Sequence, residues 1–346
     1  MNSAKSKKNG MFKHLLVIPV VFLVLAISGC TGIFPGGDTG ASGNGVTIRN
    51  FRTDLQEVNC NQQVNVQLQL QNMGDYDAQV ATQMYMIEPM KWGNPLQNPP
   101  NPFTLKAVTD QSIEPAIQTI SWQLRPNCDM LDVPKGRTMD FSPQVRIYYT
   151  YKGDVKRAIT FVSEDELRVL SSQGQSLAMG EQITSSGPLS VAINTVPFAQ
   201  TFNTYADVQI PVNIKIRNNG QGKVPGDINN NYPVAVTVTA PTGTSFVSCT
   251  PDLNFLTYGY SNIPLMSIPT PVFTTGGFGD TRTGYVSLFT DSGGQNADIT
   301  CYLRVTDVQQ IIKQERYINA KISYIYYMDT SPLNVNVKNP AGQSTF

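Results

Sequence analysis

The residues able to do chemistry are few. Among 346 residues there is one histidine, His14, and five cysteines: Cys30, Cys60, Cys128, Cys249 and Cys301. His14 sits at the head of the apolar N-terminal stretch, and no histidine follows it. That removes Ser-His-Asp and Cys-His nucleophiles, His-based zinc sites and the commonest general base from the rest of the chain. Two carboxylates alone would suffice for glycoside hydrolysis. Here Glu57, Asp75, Asp77, Glu88, Asp110, Asp129, Asp132, Asp154, Asp207 and Asp227 are scattered, most of them at turns, where Asp bonds its own backbone. No Gly-rich phosphate loop follows a strand and opens a helix. Asp75-Tyr-Asp77 and Asp291 to Asp298 gather oxygens without the order of a calcium loop, and polar hairpin turns account for them. The reading is of a chain that is not an enzyme, with no catalytic, cofactor-binding or metal-ligating residue assigned.

Four of the cysteines fit disulfides. Four allow three connectivities, and the simplest puts one bridge in each half, Cys60–Cys128 and Cys249–Cys301. Buried thiols are the alternative, since Cys is a common core residue. Cys301 alternates with Ile299, Leu303 and Val305, so its side chain points inward in either case.

Cys30 belongs to a different signal. Lys5, Lys7, Lys8 and Lys13 form a basic start, Leu15 to Ile27 is apolar, and Ile27-Ser-Gly-Cys30 follows. A basic start, an apolar core and small residues describe a secretory signal. Ile27-Ser-Gly-Cys30 resembles the lipobox of bacterial and archaeal lipoproteins, in which the Cys becomes the first mature residue and carries lipid. The alternative is an uncleaved anchor helix, because Leu15 to Pro35 holds no charge. Both place the rest of the chain outside the cytoplasm, held to the membrane by an N-terminal lipid or anchor. Residues 1–29 are thus the signal and 30–45, rich in Gly and Ser, a flexible tether. From Cys30 onward the chain carries 21 basic and 25 acidic side chains. A weakly acidic body argues against nucleic acid as a partner.

The elements that hold these residues repeat. Val64-Asn-Val-Gln-Leu-Gln-Leu-Gln-Asn72-Met-Gly74 aligns without gaps on Ile210-Pro-Val-Asn-Ile-Lys-Ile-Arg-Asn218-Asn-Gly220. Both alternate apolar and polar, as half-buried strands do, and both end in an Asn-x-Gly turn. Ile120-Ser-Trp-Gln-Leu-Arg125 matches Ile299-Thr-Cys-Tyr-Leu-Arg304, which sets Trp122 opposite Cys301. Val145-Arg-Ile-Tyr-Tyr-Thr-Tyr151 matches Ala320-Lys-Ile-Ser-Tyr-Ile-Tyr326, each followed by a turn and one more strand. The pattern predicts an all-β chain of two tandem immunoglobulin-like β-sandwich domains, 46–170 and 188–340, with a linker at 171–187 and a tail at 341–346. The halves are expected to fold independently. Ser163-Glu-Asp-Glu166 predicts a short capped helix at the junction.

An alternating strand ending in Asn-x-Gly, followed by a late Tyr-rich strand, resembles the CARDB-type immunoglobulin-like modules of archaeal and bacterial surface proteins. Residues 62–78 and 208–222 carry the likeness best. The resemblance implies surface display and adhesion or assembly roles, and brings no catalytic set. Two long inserts depart from it, Glu88 to Pro102 and Thr250 to Gly284. They supply candidate binding aromatics: Trp92, read as exposed or half-buried, and Phe255, Tyr258, Tyr260, Phe273 and Phe278. Packing of the loops onto their own domain is the competing reading. The function expected is a non-catalytic cell-surface lipoprotein with a structural, adhesive, or protein- or glycan-binding role. The alternative is a lipoprotein scaffold subunit of an envelope transport or pilus-type assembly.

Overall fold

The alternating segments become strands in the computed structural model. It describes residues 45–108, 114–177, 180–195, 198–200, 209–226, 231–251, 280–291, 294–305 and 313–341. The first half runs β1 Val46–Thr53, β2 Glu57–Asn59, β3 Val64–Asn72, β4 Ala78–Tyr85 and β5 Gln97–Asn98. It continues through β6 Phe103–Leu105, β7 Ile117–Leu124, β8 Arg137–Phe141 and β9 Gln144–Ser163. Helix α1 (Glu164–Ser172) follows, capped as expected: the Glu166 N–H donates to the Ser163 hydroxyl at 3.2 Å. Then come β10 Gln182–Thr184, β11 Leu189–Thr195, β12 Phe198–Gln200, β13 Gln209–Asn218, β14 Pro233–Thr239 and β15 Thr244–Thr250. The chain closes with β16 Thr281–Ser287, β17 Phe289–Asp291, β18 Gly294–Val305, β19 Lys313–Asp329 and β20 Val335–Asn339.

The repeat is realised as one strand order used twice. One sheet runs β1-β3-β7-β5 and its counterpart β11-β13-β18-β15. The register agrees with the sequence alignment: Val66 pairs with Trp122, and the equivalent Val212 pairs with Cys301. Val64, Val66, Leu68 and Leu70 are all buried, as are Ile210, Val212, Ile214 and Ile216. Each buried aliphatic side chain of this kind contributes about 1.5–3 kcal/mol relative to exposure. All-β sandwiches are the result.

Both halves share their second sheet. Its order, β16-β14-β19-β9-β4-β6, reads outward from a central β19–β9 ladder that joins one half to the other. That ladder pairs Lys313 with Val162 at one end and Asp329 with Arg146 at the other. Residues related by the repeat exchange across the Thr150–Ile325 pair, which lies toward the Asp329–Arg146 end. Strand β20 crosses over as well, lying parallel to β2 and antiparallel to β8 of the first half. The described residues fall in one compact unit, Gly40–Phe346. The expectation of two separately folding halves therefore meets a shared sheet and a single buried cluster.

Two local expectations change. No turn follows Tyr151, because β9 continues through Lys152-Gly-Asp154 to Ser163. Pairing with β19 overrides the Gly-Asp turn signal and brings the strands close at Gly153, where a Cβ would lie 3.2 Å from Ile322 Cγ1. The segment read as a linker is docked. β10 pairs with β9, the Asp154 N–H donates to the Ser185 hydroxyl at 2.8 Å, and Gly187 packs closely on Tyr151.

Candidate functional site

The first insert folds back on the frame instead of standing off it. Pro89–Trp92 form a single 3₁₀ turn, and Gly93 and Asn94 follow in left-handed backbone, φ 77° and 51°. The Arg125 N–H donates to Trp92 O at 3.0 Å and the Asn127 N–H to Lys91 O at 2.9 Å. β5 then pairs with the edge of β7, Gln97 opposite Trp122 and Asn98 opposite Ser121. The chain next crosses to the other sheet. There the Thr82 N–H donates to Asn101 Oδ1 at 3.0 Å, Asn101 Nδ2 donates to Thr82 O at 2.6 Å, and the Thr82 hydroxyl bonds Gln97 Oε1 at 2.7 Å. β6 finishes the crossing by pairing with β4. The insert thus closes the open edge of the sandwich.

Trp92 is consumed by that closure. It is fully buried, with its ring edge-to-face on Phe141 at 5.3 Å between centroids. The expectation of an exposed or half-buried Trp92 is corrected: the 3₁₀ turn aims its ring into the core, where no ligand reaches it. Phe255, Tyr258, Tyr260, Phe273 and Phe278 lie outside the described residues, as do Cys30, the signal segment and the tether.

What the closure leaves open is a groove of about 430 Å³ on the outer face of β5 and β7. The strand period builds it. Ile120, Trp122 and Leu124 face inward, so Ser121 and Gln123 face out, beside Asn98 and the exposed Leu96 of the insert. Gln63, Asn94, Pro95 and Arg125 complete the wall. Asn94, Asn98, Ser121, Gln123 and Arg125 make no side-chain hydrogen bond or ion pair to another described residue. Arg125 is the one charged residue of the lining. The sequence, read for aromatic residues in the inserts, does not single these groups out. The available signal was the outward Ser/Gln period of Ser121 and Gln123 next to an Asn- and Pro-rich insert.

Other polar clusters are internally satisfied. Arg146 binds Asp329 through two parallel hydrogen bonds, 2.7 and 2.8 Å, and its guanidinium lies 4.7 Å from the ring centre of Tyr327 and 5.4 Å from that of Tyr85. Burial and the Asp329 carboxylate raise the Tyr85 hydroxyl above its ordinary pKa. This is a clasp at the end of the β9–β19 ladder. Asp75 accepts the Ser186 N–H at 2.7 Å. Asp77 accepts from Lys106 at 2.7 Å and from the Ala107 N–H at 2.8 Å, bonds that hold its carboxyl below the usual range.

The cysteines are bonded as Cys60–Cys128 and Cys249–Cys301. Cys249 faces Cys301 directly across β15 and β18, and β15 ends one residue later, at Thr250. Asp280, at the other foot of the second insert, accepts the Phe246 N–H at 2.8 Å through its carboxylate and the Ala240 N–H at 2.8 Å through its carbonyl. Cys128 lies in the loop whose Asn127 holds the first insert. Each disulfide therefore braces the base of a long insertion.

No family model matches this chain, and no curated protein does. Among solved structures, the collagen adhesin (CNA) from S. aureus is similar over 86% of this chain and 94% of its own, at 10% identity and a TM-score of 0.18. The Enterococcus faecalis MSCRAMM ACE is similar over 88% of this chain and 98% of its own, at 8% identity and a TM-score of 0.11. At these scores the likeness carries no argument about function.

Proposed function

We propose that this chain is a non-catalytic cell-surface protein, tethered through Cys30, whose β frame presents binding loops to proteins or glycans outside the cell. The observation that carries this reading is the placement of the disulfides at the bases of the two insertions. Disulfides persist outside the cytoplasm, and a rigid sandwich with braced loops suits recognition more than chemistry. Among the described residues, Asp75, Asp77 and the Arg146–Asp329 pair are spent on clasps and turns. Kinship with CARDB-type surface modules is part of the proposal, and one strand order used twice supports it. The test is intact-mass analysis of membrane-extracted protein, together with surface labelling of intact cells. A lipid-bearing chain that starts at Cys30 and labels from outside is expected. A cytoplasmic chain with four alkylatable thiols in the 60–301 region would end the reading.

A further inference from the structure

We infer that the groove on β5 and β7 binds an acidic saccharide, with Arg125 receiving its carboxylate. The inference rests on the proposed surface role and adds a site and a ligand class to it.

The chemistry of the wall selects the ligand. Asn94, Asn98 and Gln123 each offer an amide donor and an amide acceptor side by side, and Ser121 adds a hydroxyl. Sugar hydroxyls also donate and accept at one atom, so they match such a surface without any charge on the protein. Leu96, 83% exposed, and Pro95 supply an apolar rim for the C–H face of a ring. Among the described residues the lining has no carboxylate and Arg125 makes no ion pair. Its planar donors fit a carboxylate with two parallel bonds. The site is also held in place. β5 is paired to β7, and the Arg125 backbone N–H is tied to Trp92 O at 3.0 Å. A groove of about 430 Å³ lies in the range that takes a small ligand. An extended peptide is the weaker fit. At the groove β5 already pairs with β7 at Ser121 and Trp122, and the lining offers side-chain amides there.

The test is calorimetric titration of the exported chain with a galacturonate oligosaccharide and with its methyl-esterified form. The acid form is expected to bind, and esterification should weaken it about tenfold or more, since a charge-assisted pair is lost. Arg125→Ala should weaken the acid form by a similar factor and erase the difference between the two sugars. Gln123→Ala should weaken both sugars and preserve their ratio. Arg125 and Gln123 are exposed, and an unchanged disulfide map confirms that each variant folds. The inference is overturned if neither sugar binds, if Arg125→Ala leaves acid binding intact, or if a poly-glutamate peptide competes as well as the saccharide. A chain that is displayed and lipid-bearing yet blind to these sugars sinks this inference alone. A chain retained in the cytoplasm with reduced cysteines sinks the surface role, whatever it binds in solution.

Discussion

Tyr149 faces Tyr326 across the β9–β19 ladder with 5.5 Å between ring centroids, and the repeat exchanges this pair with Tyr151 and Tyr324, 6.3 Å apart. Each hydroxyl of the four has a backbone to serve. The Leu189 N–H donates to Tyr324 at 3.1 Å, and Val46, its counterpart at the start of the first half, bonds Tyr149. Tyr326 donates to Asn218 Oδ1 at 2.7 Å and accepts the Gly222 N–H at 3.0 Å. Tyr151 repeats this with Asn72 at 3.5 Å and the Tyr76 N–H at 3.4 Å. Both Asn-x-Gly turns are thereby locked to the strands that join the halves.

Tyr326→Phe should destabilise the chain by about 1 kcal/mol or more, because the half-buried Gly222 N–H loses its partner and Asn218 Oδ1 keeps only the Gly220 N–H. Tyr151→Phe should cost less, given its longer bonds. Urea midpoints read both. Equal midpoints for wild type and Tyr326→Phe would remove the tyrosines from the turn-locking role.

Raising pH should unfold the chain through the same cluster. Burial is the main cause that lifts Tyr149 and Tyr324 well above the ordinary tyrosine value, and it pushes Tyr151 up to about 12. A folded pKa above the unfolded one means that stability is complete below about pH 10 and is lost as pH climbs toward the folded values. Denaturant midpoints should be flat on the acid side of this window and fall within it, in step with tyrosinate absorbance. Tyrosinate absorbance that rises fully before any loss of stability would contradict this.

Removing Cys249 and Cys301 together, as Cys249→Ala and Cys301→Ala, should cost about 2–4 kcal/mol, since the bridge closes a loop in the unfolded chain. The bonded pair spans 52 residues. Peptide mapping without reductant should recover this pair and Cys60–Cys128. Recovery of any other pairing would argue against the frame described.

Residues 45–200 and 187–346, expressed apart, should not behave as monomers. Each exposes one long strand of the ladder, β9 or β19, and the second also strands β20 away from β2 and β8. Association on their own and a stable one-to-one complex on mixing are expected by sedimentation. Two monomeric halves with cooperative thermal transitions would show the shared sheet to be dispensable.

The alternating residues determine a great deal by themselves. A period of two buries Val64, Val66, Leu68 and Leu70 whichever strand lies beside them, and the register between repeats follows from it. The capped helix and both disulfide pairs were legible for the same local reasons of type and spacing. Which strands become neighbours across the repeat was not legible. Pairing of β9 with β19 depends on two Tyr-rich faces meeting in space, and either strand alone reads equally well as an edge or a centre. The same holds for Gly153, a turn signal in the sequence that tertiary pairing turns into a point of close approach. Trp92 and Arg125 divide along this line. The sequence marks Trp92 as able to bind and passes over Arg125, and only the path of the insert over the sandwich edge buries the first and leaves the second at a groove.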